Sequence, residues 1–429
     1  METYVRPLDA PHLSIEELHS DTGPDRLTSL RNQEAERPLL PRETVGVPTP
    51  AALRSNEASA TPISATGNAA TAGEVSTQAI SLPEPSHSMT LQECILGLGT
   101  SQFYFTSRFA ACSGAQFDQV WLVNGKPVGT SSFDVVVIGE IPQGSRTMMA
   151  SYYFLDFTRT GNNNAPAMGI TGKASIPQSW PSTASYETAG NLPGTRTWAS
   201  IADGVTFKQT VTAPAGQAGN LGIHMITGIY QPSISLTAAP GWVMEPGAGG
   251  DIFWLPVRWD EADYLPGAAT GGAAVFTYLG TLEYSTAADA PEREVALHIQ
   301  QALNNPEQTT PVWSGKDLPG ASSSEPLTRL YNDTKRRERN RSRALWNCVS
   351  SYGPAYTEGG TKQCDEYPFS STYQGASQYE HDALADMRNF SSMPVRKEDN
   401  EAAGILLGQF YDKNRIIDGP DDGFIVKIS

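Results

Sequence analysis

The chain has 429 residues and a formal net charge of −16, from 46 acidic and 30 basic side chains. This charge disfavours nucleic-acid binding except through a local basic patch. With 39 Gly, 31 Pro and only 18% charged residues, the composition favours loop-rich β structure over helical bundles. No apolar run reaches the roughly 18 residues of a membrane-spanning helix, so none is predicted.

Residues 1–88 are predicted to be a mostly disordered leader segment. They contain one aromatic residue, Tyr4, and an Ala/Ser/Thr-rich stretch that cannot bury enough apolar surface to offset its ordering entropy. A short helix near Leu13–His19 is the expected exception. The opening "METYVRPLDAPHLSIEELHS" has neither the basic start nor the apolar run of a signal peptide, which argues against simple export.

Residues 89–303 are predicted to form a β-rich, antiparallel sandwich-like domain of unknown role. Strand-like runs such as "TMMASYYFLDFT" alternate with Gly/Pro/Asn clusters, and Asn124–Gly125 marks a hairpin turn. "PEREVALHIQQALNN" closes this region as a predicted helix with Pro291 at its start. Residues 304–326 are rich in Pro, Ser and Gly and are expected to be a linker.

The four cysteines fall into two close pairs, Cys94 with Cys112 and Cys348 with Cys364. Neither pair has zinc-knuckle spacing, so we predict two local disulfides, with four reduced buried thiols as the alternative. Two disulfides imply an oxidising compartment, and each short loop would contribute about 3 kcal/mol.

Residues 327–429 are predicted to be a small α+β domain that opens with a basic helix, "LTRLYNDTKRRERNRSRALWNC". Between Arg329 and Arg343 it carries seven basic residues against two acidic ones. This concentration favours a face that attracts a phosphodiester backbone, although a solvated helix face is the simpler interpretation. The candidate backbone-binding residues are Arg336, Arg337, Arg339, Arg341 and Arg343.

A pair of carboxylates, Asp365 and Glu366, follows Cys364 directly and precedes Pro368 by two residues. A crosslink and a proline would hold this backbone stiff, as a metal-assisted hydrolase requires of its base. An aspartate can take a proton from water that a divalent cation has made acidic. The alternative is an Asp/Glu turn that caps a strand.

"KEDNEAAGILLGQFY" predicts a helix that begins near Asp399 or Asn400, with Gly404 and Gly408 expected to allow close packing. Hard cations such as Mg²⁺ and Mn²⁺ prefer oxygen ligands and keep several waters, so the amide oxygen of Asn400 suits such an ion. The alternative is that Asp399 or Asn400 simply caps the helix.

Together these blocks resemble the NucA/NucB family of bacterial secreted deoxyribonucleases. The resemblance rests on the "CDEYPF" to "QGAS" block, the "DNEAAGILLGQFY" block and the terminal "DG…FIVKI", over roughly 100 residues. "RLYN…NR" and Cys348 fit longer, actinobacterial-type members. The resemblance implies a compact ββα-like metal site that cleaves DNA with Mg²⁺ or Mn²⁺.

The same resemblance assigns roles to three residues. It implies Asp365 as the general base, in place of the histidine usual in related ββα-metal nucleases, and Asn400 as the metal ligand. Glu366 belongs to the motif, but either metal binding or orientation of an arginine or water remains open for it. His381 is expected to face solvent. The prediction is an α+β, secreted, largely sequence-nonspecific endodeoxyribonuclease whose oligomeric state the sequence does not determine.

Two other functions fit parts of the sequence. The chain could be a nuclease toxin delivered to competitor cells, with residues 1–90 as delivery leader, the β region as adaptor and an immunity protein as partner. Alternatively, the β domain could bind carbohydrate or a cell surface and carry a degenerate nuclease. The tryptophans that would line such a platform, unless they are core residues, are Trp121, Trp180, Trp198, Trp242, Trp254 and Trp259.

Overall fold

The computed structural model describes residues 1–35, 80–99, 101–217, 224–254 and 256–429. These residues form two compact units. The first contains residues 1–35 and the described part of 85–277, and the second contains residues 80–84 and Tyr278–Ser429. Each unit is described by itself.

The first unit is built mainly from strands, with four α-helices among its described residues. The strands are β1 (Glu2–Arg6), β2 (Phe103–Ser107), β3 (Ala110–Val123), β4 (Lys126–Glu140), β5 (Thr147–Gly161), β6 (Gly169–Trp180), β7 (Glu187–Gly190), β8 (Arg196–Thr197), β9 (Thr206–Thr212), β10 (Ile226–Thr237), β11 (Gly249–Asp251), β12 (Val257–Asp260) and β13 (Ala273–Phe276). The helices are α1 (Ile15–Leu18), α2 (Gly23–Ala35), α3 (Leu91–Leu98) and α4 (Trp198–Ile201).

These strands form two antiparallel sheets. One has the order β1-β3-β4-β5-β9-β7, with β2 also paired to β3, and the other has the order β13-β12-β10-β6-β8, with β11 paired to β10. The predicted hairpin joins β3 to β4, where Val123 pairs with Lys126. Asn124 and Gly125 both have positive φ, 52° and 76°, as a two-residue turn of this kind requires.

Buried aromatic side chains connect the two sheets. Tyr152 on β5 and Tyr230 on β10 share a hydrogen bond of 2.5 Å between their hydroxyls. This packing agrees with the predicted sandwich-like arrangement. It argues against the proposed tryptophan platform, because four of the six tryptophans are core residues. The buried ones are Trp121, Trp198, Trp254 and Trp259.

The prediction of disorder for residues 1–88 is wrong for residues 1–35. Strand β1 pairs antiparallel with β3, from Glu2 opposite Val120 to Arg6 opposite Gln116. Tyr4, Leu18 and Leu30 are buried in a common cluster, which supplies the apolar contacts that composition alone did not reveal. The short helix α1 confirms the expected exception, whereas residues 36–79 lie outside the described part of the chain.

The second unit surrounds one hydrophobic core. Its elements are β14 (Gly280–Tyr284), α5 (Arg293–Asn304), β15 (Leu327–Thr328), α6 (Thr334–Tyr352), β16 (Lys362–Tyr367), β17 (Ser391–Arg396), α7 (Lys397–Lys413) and β18 (Gly423–Ile428). Strand β18 pairs in parallel with β14 and antiparallel with β15. The terminal "FIVKI" of the sequence therefore lies in a paired strand.

The main segment of this unit begins at Tyr278, whereas the sequence placed the domain boundaries at residues 303 and 327. Helix α5 buries Val295 and Ile299 in the same core as Phe410 and Phe424. Leu318, from the segment expected to be a linker, is buried in that core as well. The unit thus includes about fifty residues that lie upstream of the predicted nuclease domain.

Candidate functional site

A strand–strand–helix arrangement positions the predicted site residues. Strands β16 and β17 form a two-stranded antiparallel sheet in which Asp365 lies opposite Met393 and Glu366 opposite Ser392. Helix α7 begins at Lys397, directly after β17 ends at Arg396. The carboxylate pair and the start of α7 are therefore carried by consecutive, hydrogen-bonded elements.

A cleft of about 190 Å³ lies at this strand–helix junction. It brings together four of the predicted residues, since Arg341, Asp365, Glu366 and Asn400 all line it. The other lining residues are Tyr284, Val295, Phe369, Ser370, Ser371, Ala403, Gly404 and Leu407. Residues far apart in sequence thus share one small cavity with two carboxylates, a guanidinium and an amide.

A buried histidine holds Asp365. The Nδ1 atom of His298, on α5, lies 2.6 Å from Oδ2 of Asp365, and its Nε2 lies 2.7 Å from the hydroxyl of Ser391. When Asp365 is ionised, Nδ1 is the donor, because a carboxylate can only accept. The hydrogen bond fixes Oδ2, whereas Oδ1 has no hydrogen-bond partner within the described residues.

Glu366 is buried and paired with Arg341. The Nη1 atom of Arg341 donates to Glu366 Oε2 and also to the carbonyl oxygen of Cys364, at 2.8 Å for the latter. Burial raises the pKa of Glu366 above its ordinary value, and the nearby guanidinium partly opposes this rise. The pair therefore fixes Arg341 from one side and leaves its other donors available at the cleft.

Asn400 lies in the first turn of α7, and its amide has a defined partner. Nδ2 donates to Gln363 Oε1 at 2.7 Å, and Gln363 Nε2 donates in turn to Glu401 at 3.1 Å. Because Glu401 only accepts, this chain orients both amides and leaves Oδ1 of Asn400 without a partner in the described structure.

The alternative of a helix cap applies to Asp399, but on a different helix from the one expected. Asp399 Oδ2 accepts from the backbone N–H of Glu294 in the first turn of α5, at 2.9 Å. In return, Glu294 accepts from the backbone N–H of Arg396 at the start of α7, at 2.6 Å. The two carboxylates therefore join the N-terminal ends of α5 and α7.

Both predicted disulfides are present. Cys348 on α6 and Cys364 on β16 are bonded, with their Cα atoms 6.2 Å apart. Cys94 and Cys112 are bonded in the first unit, with Cα atoms 6.1 Å apart. The Cys348–Cys364 bond connects the helix that carries Arg341 to the strand that carries Asp365. Such bonds are compatible with an extracellular protein.

The predicted basic helix forms as α6, but most of its arginines contact other parts of the same unit. Arg341 is the one of the five candidates that lines the cleft. The others contact the Tyr373 carbonyl (Arg336), the Tyr331 ring (Arg337), Glu380 (Arg339) and the Met387 carbonyl (Arg343). These contacts attach α6 to the surrounding residues of the same unit. The arginines therefore do not form a basic surface free of intramolecular contacts.

The oxygen donors fit a hard cation that keeps much of its water. No group of three or more His, Cys, Asp and Glu side chains in the described part of the chain could hold a metal. Asn400 and Asp365 nevertheless each offer an uncommitted oxygen at the same cleft. Mg²⁺ and Mn²⁺ commonly use one or two protein oxygens, with water and substrate phosphate completing the shell.

Sequence reasoning missed His298, because the predicted domain boundary excluded α5. His381, the single histidine within residues 327–429, is exposed as expected, whereas His298 is 1% exposed. A signal was present: His298 lies on the apolar face of a helix, beside Val295 and Ile299. A polar ring at a core position needs a polar partner. Gly404 and Gly408 also differ from expectation, because a Cβ at either would contact nothing within 4 Å.

Part of the second unit is similar to a known protein family. Residues 320–426 match the family model of deoxyribonuclease NucA/NucB, which agrees with the resemblance seen in the sequence. No curated protein and no solved structure matches the chain significantly. The match indicates a nuclease domain with DNA as its substrate. No helix among the described residues is long and apolar enough to cross a membrane.

Proposed function

We propose that the second unit is a metal-dependent endodeoxyribonuclease that hydrolyses DNA phosphodiester bonds with little sequence preference. The observation that carries this proposal is the shared cleft of Asp365 and Asn400 within a region that matches a deoxyribonuclease family. In this proposal Asp365 is the general base. Phosphate contacts carry no base information, so we expect weak sequence preference and loss of activity as salt rises.

The uncommitted oxygen of Asp365 suits proton transfer. His298 holds Oδ2, so Oδ1 takes the proton from the attacking water while the carboxylate stays in one orientation. As water adds to phosphorus, the P–O3′ bond breaks, and solvent protonates the leaving oxygen. Burial of Asp365, at 6% exposed, limits competing hydrogen bonds from bulk water.

Arg341 and Asn400 are the proposed binding groups for the phosphodiester and its cation. The Nε and Nη2 atoms of Arg341 make no hydrogen bond to described residues, so they can donate to phosphate oxygens. Asn400 would hold Mg²⁺ or Mn²⁺ through Oδ1. When bound, such an ion neutralises phosphate charge and makes water more acidic. Glu366 orients Arg341 through their ion pair.

The test is cleavage of plasmid and linear DNA by the full chain, compared with Asp365→Asn and Asn400→Ala. We expect Asp365→Asn to lose at least about a hundredfold in kcat, as removal of a general base does. Asn400→Ala should need a higher Mg²⁺ or Mn²⁺ concentration for half-maximal rate. Melting curves show whether each variant is folded. Full activity of both variants, together with wild-type cleavage that EDTA does not reduce, would refute the proposal.

Secretion is proposed from the two disulfides, which form in oxidising compartments. A delivered toxin remains the alternative. Residues 1–35 of the first unit are folded rather than a free leader, which gives this alternative less support than the sequence suggested. Co-expression with candidate immunity proteins would distinguish the two, because an inhibitor is expected only for a toxin.

A further inference from the structure

The second turn of α7 presents a glycine to the cleft. Gly404 follows Asn400 by four residues, so the two lie on the same face of the helix, and both line the cavity. A glycine inside a helix lowers its stability relative to alanine. Glycine is retained at such a position when something must approach the backbone closely.

Packing within the protein does not require this glycine. A Cβ atom at residue 404 would contact nothing within 4 Å, and Gly404 lies within the continuous helix α7. Alanine therefore fits both the space and the backbone conformation. The helix loses stability at this residue without gaining a contact in return. Gly408 shares this property, so the position of Gly404 in the cleft is what points to a functional reason.

We propose that the sugar–phosphate backbone of the DNA substrate lies directly against α7 at Gly404. This inference rests on the proposed function and makes it more specific. Gly404, Asn400 and Asp365 line one cavity of about 190 Å³, so a side chain at residue 404 would project into the space that the scissile phosphodiester must occupy. Gly404 is a substrate-approach position and not a catalytic residue.

Gly408 provides a matched control in the same helix. It lies one turn after Gly404, a Cβ there would also contact nothing within 4 Å, and it does not line the cleft. Replacement of either glycine by alanine should raise Tm by about 2–4 °C, because both gain the same helix propensity. A difference in DNA handling between the two variants therefore reports the cleft rather than the helix.

The experiment compares Gly404→Ala and Gly408→Ala in the full chain. Cleavage of a linear duplex should fall at least about tenfold in kcat/KM for Gly404→Ala and stay within about twofold for Gly408→Ala, which are differences that contact geometry commonly produces. Binding is measured separately in an Asp365→Asn background, by fluorescence anisotropy of a labelled 20-mer duplex. There Gly404→Ala should raise Kd about tenfold and Gly408→Ala should not.

Each other outcome decides the matter. Normal cleavage and normal affinity in Gly404→Ala would overturn the inference, and so would an equal loss in Gly408→Ala. If the wild-type chain binds the duplex but does not cleave it, the proposed hydrolysis fails while the Kd comparison still decides whether DNA lies against Gly404. If it neither binds nor cleaves, both the function and this inference fall.

Discussion

His298 and Asp365 are joined by a 2.6 Å hydrogen bond, although 67 residues separate them in the sequence. The histidine is itself fixed by Ser391 on β17, so the ring cannot rotate without breaking a second hydrogen bond. This arrangement restricts the carboxylate to one orientation, as a preorganised general base requires. His298 acts through Asp365, and we regard it as a positioning residue.

We therefore expect His298→Ala to lower kcat by about a hundredfold with little change in KM, because binding groups remain while the base loses its orientation. His298→Asn should retain much more activity, since the asparagine Nδ2 can replace the donor Nδ1. His298→Gln places its amide nearer Ser391 and serves as the matched control. Equal activity in the Asn and Gln variants would show that the hydrogen bond to Asp365 does not matter.

Only part of this site could be predicted from local sequence. Asp365, Glu366 and Cys364 are adjacent, and Asn400 lies at the start of a helix with clear apolar periodicity, so their roles could be proposed from neighbouring residues. The apolar face of α5 indicated that His298 needs a polar partner, but that partner lies on β16 and no residue near α5 identifies it. The domain boundary failed for the same reason, since β14 pairs with β18 near the end of the chain.

The N-terminal segment shows a second limit. Composition suggested disorder for residues 1–88, because apolar residues are sparse there and hydrophobic burial is the main stabilising term. However, β1 gains ladder hydrogen bonds from β3, and Tyr4 packs with Leu18 and Leu30. Such stabilisation depends on a partner strand more than one hundred residues later and has no signature in the segment itself.

Variants of Arg341 and Glu366 should distinguish an effect on stability from an effect on DNA binding. Arg341→Ala leaves a buried carboxylate without its partner, which typically costs about 3–5 kcal/mol. Its pKa is already raised by burial, so the folded state favours the protonated form and this variant should lose stability as pH rises. Arg341→Ala should also raise KM for DNA, because it removes a donor to the phosphate. Adding Glu366→Gln should restore much of the stability, but KM should stay raised. Recovery of both would mean that Arg341 has no role in binding DNA.

The two disulfides allow a controlled comparison, because they close loops of similar size, with separations of 16 and 18 residues. Removing either by paired Cys→Ala substitution should cost roughly 3 kcal/mol of unfolding free energy in its own unit. Loss of Cys348–Cys364 should also reduce cleavage at temperatures well below Tm, since it frees β16 from α6. Loss of Cys94–Cys112 should leave cleavage within about twofold of wild type. If both losses reduced cleavage equally, the role assigned to Cys348–Cys364 would be contradicted.

Asp134 should make the stability of the first unit depend on pH. Its side chain is 6% exposed, its Oδ1 lacks a hydrogen-bond partner in the described structure, and burial raises its pKa to about 7. The carboxyl group of Asp134 therefore holds its proton more tightly in the folded state than in the unfolded chain. Its stabilising contribution is complete below the unfolded value of 3.8 and is lost as pH rises through about 7.

Asp134→Asn removes the ionisable group at nearly constant shape. The variant should be more stable than wild type at pH 8, by about 1–2 kcal/mol after allowance for solvent screening, and the difference should disappear near pH 4. Urea unfolding followed by tryptophan fluorescence measures this well, because six of the eight tryptophans belong to the first unit. A difference that stays constant from pH 4 to pH 8 would show that Asp134 does not titrate in this range.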